Sequence, residues 1–532
     1  MNLLNRGLLI ATLAAFILSG CVDIRPYRTN VLPGEQSPCP QTQSHPNQTT
    51  EDECAHTTPE IVKDSYELHF VEFDDQGWLY PDRPKSNEYP SHQIANVIDR
   101  LHHLLDVEKA DLSIIVYVHG WKHDAQSGDS NIEIFRGILQ SVGAHESRQP
   151  ESTAPRKVVG IYVAWRGATW PGKSTGEVMD LSFWGRKAAA ERIAQGSPRE
   201  LFARLHAIQR HYNGEGRSID SKNPAVSSGG ESLAQARSNP RPRIRTLMLG
   251  HSFGAAILYA ATSGPLIEVL SREGSDPSER LADMIVLINP AMEAARYEPL
   301  FEVASRYHVS HYEPPLLVTI STCEDQANRL LFPIGRIVTS VFERPTSSNL
   351  QSWDLHHTYG HVDRYITHRL YGHVPSVNRS VADKGSDNTC PLWQPVTDLT
   401  IKSSSTCPDP FEKLSRSEQT ASAFKQSSAF YNGALDKRTK QLPGEWGRVF
   451  CGGLYLKVLN HPHEQPEAID NSNAIVWNVE TDGEVMRNHS DLNGNEKLIS
   501  FIEQLYGDVA LPVLAPSGDS HQSEPMSSAP GP

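Results

Sequence analysis

The sequence predicts an α/β protein with a mostly parallel sheet covered by helices on both faces. Two observations carry this reading. Short apolar runs rich in β-branched residues recur at 112–118 (LSIIVYV), 158–164 (VVGIYVA), 244–249 (IRTLML), 284–288 (MIVLI) and 316–321 (LLVTIS). Runs of that length with no polar alternation suit strands buried on both faces. Stretches with helical spacing lie between them, and that alternation is the pattern of a parallel sheet.

In chain order, residues 66–72 (YELHFVE) alternate and read as an outer antiparallel strand. Residues 93–105 place Ile94, Val97, Ile98, Leu101, Leu104 and Leu105 on one helical face. Residues 180–209 read helical, and 213–242, rich in Gly, Ser, Asn and Pro, reads as a mobile loop. Residues 254–262 form a helix of small side chains. Residues 474–479 (AIVWNV) give the last strand and 495–506 (NEKLISFIEQLY) the last helix. The stretch of about 330–470 is polar and breaks the rhythm, so it reads as a long insertion before the last strand.

With 532 residues and a formal charge of −14, the chain can bury a large core but builds no basic field. Nucleic acid is therefore not an expected partner. After the first twenty residues no apolar run reads as long enough to span a bilayer. Residues 8–18 (LLIATLAAFIL), preceded by Arg6, have the length of a secretory signal core. Leu18-Ser19-Gly20-Cys21 then resembles a bacterial lipobox. The resemblance implies cleavage after residue 20, lipid on Cys21, and sorting to the outer membrane, because the next residue is Val22 rather than Asp. Residues 21–60 read as a polar tether, 61–512 as the folded domain, and 513–532, rich in Ser and Pro, as a disordered tail. Six cysteines remain: Cys39, Cys54, Cys323, Cys390, Cys407 and Cys451. An exported chain favours disulfides among them, Cys39 with Cys54 and Cys390 with Cys407 being the local pairings. No Cys/His spacing suggests a metal site.

Gly250-His251-Ser252-Phe253-Gly254 directly follows the strand IRTLML and opens the helix after it. A sharp strand–turn–helix lifts the serine hydroxyl to the carboxyl end of the sheet and points the helix N-terminus at it. With those flanks, the chain resembles the α/β-hydrolase family over about residues 60–510. The resemblance is clearest at 112–126, 244–262, 316–337 and 474–506, and does not cover the insertion. It implies an α/β-hydrolase fold and a serine hydrolase that cleaves a carboxylic ester, or a related acyl bond, with Ser252 as nucleophile. It implies no cofactor and no metal; the partners would be a small-molecule or lipid ester and the membrane reached through Cys21. His119-Gly120-Trp121, ending the strand LSIIVYV, looks like the family's oxyanion turn, with the backbone N–H groups of Trp121 and Phe253 as donors. Asp325, after LLVTIS and 73 residues beyond Ser252, is the expected acid, with Glu324 as its rival. His489, between the last strand and the last helix, is the expected base. His361 and His368 are the rivals for that role, and Asp491 lies two residues beyond His489. An acyltransferase and a non-catalytic lipoprotein built on the same scaffold are the other readings.

One motif points elsewhere. Residues 167–174, from Gly167 to Ser174, match a phosphate-binding loop after the strand VVGIYVA, and overlap a second G-x-S-x-G around Ser174. Trp170-Pro171 would put bulk, and remove an N–H, where phosphate needs bare backbone. The run is better read as the rim of the site, with Trp165 and Trp170 as apolar wall.

Overall fold

Along the strand Leu112–Val118, Ile114, Val116 and Val118 pack into one core while Ile115 and Tyr117 pack into another. Every residue of that strand is buried, so both faces of the sheet are covered and the unbroken apolar run is explained. The computed structural model describes residues 26–30, 57–82, 91–147, 155–167, 182–214, 243–272, 280–307, 314–339, 349–372, 447–450, 454–459, 471, 473–492 and 494–509.

The described strands are β1 (Thr29–Asn30), β2 (Thr57–Thr58), β3 (Glu60–Val62), β4 (Tyr66–Phe73), β5 (Leu112–Val118), β6 (Lys157–Trp165), β7 (Ile244–His251), β8 (Met284–Ile288), β9 (Leu317–Thr322), β10 (His368–Tyr371), β11 (Gly447–Phe450), β12 (Leu454–Val458) and β13 (Val476–Thr481). Strands β3–β13 form one sheet in the order β11-β12-β10-β13-β9-β8-β7-β5-β6-β4-β3. Pairing is parallel from β4 through β10 and antiparallel only at the two edges. The protein is thus α/β with a mostly parallel, mixed sheet.

One face is covered by α1 (Gln93–Asp106), α3 (Ser182–Ile193), α4 (Pro198–Asn213), α5 (Phe253–Ser271) and α6 (Ala294–Ala304). The other is covered by α2 (Ser130–Ser147) and α9 (Glu496–Val509). Two shorter helices, α7 (Phe332–Thr339) and α8 (Asn349–His356), lie in the stretch before β10. In α1 the six apolar positions spaced for one helical face are all buried.

Four sequence expectations are corrected. Strand β4 is not an outer antiparallel strand: it pairs parallel with β6, and only the short β3 runs antiparallel to it. Its two glutamates are buried and partnered, Glu67 by Arg100 and Glu72 by the backbone N–H groups of Tyr27 and Arg28. Alternating polarity here marks buried, hydrogen-bonded carboxyl groups rather than a wet face. Within the stretch read as helical at 180–209, the described residues form two helices, because Pro198 begins a new one. The stretch read as an insertion contributes β10, β11 and β12 to the same sheet. Helix α5 runs on through Pro265 and is long and apolar enough to cross a bilayer by length and composition; it lies against the sheet instead, burying Ile257, Leu258, Leu266 and Leu270.

The signal segment, Cys21 and the tail at 513–532 lie outside the described residues, as do both local cysteine pairs and all but the first two residues of the stretch 213–242 read as a loop. Of the expected tether, Tyr27 and Arg28 are docked on the domain: Arg28 is buried, donates to the Ala125 carbonyl at 2.8 Å and pairs with Glu60 at 2.9 Å. Cys323 is disulfide-bonded to a cysteine outside the described residues.

Candidate active site

Strand β7 ends at His251 and α5 starts at Phe253, leaving Ser252 alone to make the turn. Its backbone sits at φ 57°, ψ −120°, a conformation a non-glycine residue holds only when its surroundings impose it. The turn is tight enough that a Cβ on Gly254 would lie 2.1 Å from the Val118 carbonyl oxygen, and one on Gly250 2.8 Å from Ala255 Cα. The two flanking glycines of the motif are therefore steric requirements.

Three groups meet above this turn. His489 Nε2 lies 2.8 Å from Ser252 Oγ, and His489 Nδ1 lies 2.7 Å from Asp325 Oδ2. An ionised carboxylate only accepts, so Nδ1 carries the proton and donates it to Asp325. Nε2 is then bare and accepts from the serine hydroxyl. Asp325 is wholly buried just beyond β9, and its other oxygen accepts the Asn328 N–H at 2.9 Å. Burial pushes this carboxyl up. The neighbouring His489, with His361 and the Asn328 N–H, outweighs burial and holds it below its ordinary value. The arrangement can pass a proton from the serine to the imidazole and stabilise the imidazolium that forms.

The turn after β5 is held by its own histidine. His119 Nε2 accepts the Trp165 N–H at 3.0 Å, so its Nδ1–H donates to the Gly120 carbonyl at 2.9 Å. The ring stacks on Trp165, with 4° between planes, and burial lowers its pKa to about 4, keeping it neutral. Among the described residues, neither the Trp121 N–H nor the Phe253 N–H has a backbone acceptor. Phe253 N–H is the first of α5, where the helix dipole favours negative charge. Phe183 lies against both rings, 5.2 Å from Trp121 and 4.8 Å from Phe253.

The rival residues sit elsewhere. Glu324 packs toward Gly483. Asp491 is held by Arg487 through the backbone N–H at 2.8 Å and the guanidinium at 2.6 Å. His368 lies in β10 with its ring 4.3 Å from that of Trp477, and burial lowers its pKa to about 3. His361 comes closer, on a short turn at Tyr359–His361 beside Asp325, but it bonds neither the carboxylate nor the serine. Trp165 is not a wall of the rim: it is buried, and its Nε1–H donates to the His119 carbonyl at 2.9 Å. Gly167, first residue of the phosphate-loop motif, shares its N–H between the Trp165 carbonyl at 2.8 Å and the His123 carbonyl at 3.0 Å, and its own carbonyl accepts from Lys122 N–H at 3.0 Å. Trp170, Ser174 and the rest of that motif lie outside the described residues. Among the described residues no three His, Cys, Asp or Glu side chains converge as a metal-holding group.

Sequence reasoning passed over two contributors. His251 Nε2–H and Asn289 Nδ2–H both donate to the His489 carbonyl, each at 2.9 Å. His251 stands inside the serine motif as a variable position, and Asn289 follows β8 with no motif around it. Comparison of the chain with protein-family models, curated proteins and solved structures finds no match.

Proposed function

We propose that the chain is a serine hydrolase with an α/β-hydrolase fold, cleaving a carboxylic ester through an acyl-enzyme. The observation that carries this is the hydrogen-bonded line Ser252–His489–Asp325, set on a strained serine between a strand and a helix N-terminus. The chain order Ser, Asp, His agrees with that family's order.

Ser252 Oγ attacks the ester carbonyl as His489 Nε2 takes its proton. The carbonyl oxygen becomes an oxyanion, held by the N–H groups of Trp121 and Phe253, which the fold fixes in place before reaction. The imidazolium, balanced by Asp325, then protonates the leaving alkoxide. Water repeats the sequence on the acyl-enzyme and restores the serine. Phe183, packed on the rings of Trp121 and Phe253, supports an apolar acyl group on the substrate. A lipid on Cys21, anchoring the enzyme at the outer membrane, belongs to the same reading. Cys21→Ser should release the protein from the membrane fraction.

The decisive experiment is labelling with a fluorophosphonate. The wild type should be modified at Ser252 and Ser252→Ala should not be modified at all. Labelling that persists in the variant, or maps to Ser174, refutes the assignment.

A further inference from the structure

Asn289 directly follows β8, which lies between the nucleophile strand β7 and the acid strand β9. It is wholly buried, and its φ of 43° is a left-handed conformation that asparagine tolerates better than most residues. Four bonds leave it. Its N–H donates to the Ile320 carbonyl at 2.9 Å, and its own carbonyl accepts from Asn328 Nδ2 at 3.1 Å. Its side-chain Oδ1 accepts the Thr322 N–H at 3.0 Å, and its Nδ2 donates to the His489 carbonyl at 2.9 Å. The partners fix the amide's orientation, because Thr322 N–H can only donate and the His489 carbonyl can only accept. One residue earlier, the Ile288 carbonyl accepts the Ser252 N–H at 2.9 Å.

The acid strand and the base loop therefore meet at Asn289, and the turn of the serine is tied to the residue before it. No other side chain of this length offers a donor and an acceptor from one planar end: aspartate has two acceptors and leucine neither. The His489 carbonyl has two lone pairs, and the second is taken by His251 Nε2–H at 2.9 Å. The base loop is thus held by its backbone from two sides, while the imidazole remains free to exchange its proton.

We propose that Asn289 is a positioning residue, whose side-chain amide ties the base loop to the acid strand and so sets the distance from His489 Nε2 to Ser252 Oγ. This inference rests on the serine-hydrolase reading. It concerns placement of the base and not binding of substrate, so the loss should fall on kcat. A misplacement of about 1 Å is enough to cost roughly a hundredfold.

The test uses Asn289→Gly, which keeps the left-handed backbone and deletes the amide, and Asn289→Asp, which keeps the acceptor for Thr322 N–H and removes the donor to His489. Hydrolysis of p-nitrophenyl acetate and the rate of fluorophosphonate labelling are read beside thermal unfolding. Both variants should fold, lose about 10- to 100-fold in kcat and in labelling rate, and keep KM within about twofold. Should the glycine variant fail to fold, the aspartate variant alone carries the test. Folded variants that label at the wild-type rate, or a loss confined to KM, overturn the proposal. Unfolding of both variants overturns it too, since Asn289 would then serve the fold and not the base. If the wild type itself does not label at Ser252, the hydrolase reading fails first and takes this inference with it.

Discussion

Two imidazoles stand near the Asp325 carboxylate, one from the loop after β13 and one from the turn before β10. His489 bonds through both ring nitrogens and its carbonyl, and its side chain keeps 20% of its surface exposed. His361 donates its backbone N–H to Thr358 within its own turn, its Nε2 is buried without a partner, and burial lowers its pKa to about 4. Proximity to a carboxylate is common to both. What separates them is a partner on each side and an opening for the proton's destination. With 23 histidines in the chain, composition carries no such information; placement on a loop at the carboxyl edge of a parallel sheet does.

The largest test of that contrast replaces each ring. His489→Ala should lower kcat on the order of 10⁵-fold, while His361→Asn should cost less than about tenfold. Comparable losses would erase the distinction. Asp325→Asn should fall next, at roughly 10⁴-fold, because an amide no longer fixes the tautomer that leaves Nε2 bare. A pH–rate profile should show the residual activity recovering at alkaline pH.

A smaller effect should appear in acid. Burial lowers the pKa of His119 to about 4, His251 to about 3, His361 to about 4 and His368 to about 3. The unfolded chain binds these protons near pH 6.5, so it holds more protons than the folded state below that point. The four rings therefore stabilise fully above pH 6.5 and lose that contribution as pH falls toward 4 and 3. Melting temperature measured across that window should drop less steeply in His368→Phe than in the wild type. Smallest of all, Asp491→Asn should leave kcat within about threefold: its carboxylate serves Arg487, whose side chain is 74% exposed, and such pairs contribute little.

What the sequence made legible follows the same division. The strands at 112–118 and 284–288 match the apolar runs residue for residue, because a strand covered on both faces has one composition available to it. Ser252, Asp325 and His489 were legible because each closely follows such a strand. Strands β10 (HRLY) and β11 (GRVF) were not, being four residues long and mixed in polarity at an antiparallel edge. Asn289 had no signal at all. A single asparagine after a strand is ordinary turn chemistry, and its use of both amide atoms depends on loops 33 and 200 residues away.

The place of β13 in the sheet bears on when Ser252, Asp325 and His489 can come together. Among the described strands this one comes last in the chain, yet it lies between β9 and β10, both synthesised earlier. Until residues 476–481 emerge, β9 and β10 each present an open edge, and such edges invite pairing with other chains. The imidazole arrives only eight residues after that strand, once the serine and the carboxylate are already in place. Closure of the sheet around β13 and the arrival of His489 beside Ser252 and Asp325 therefore become a single event.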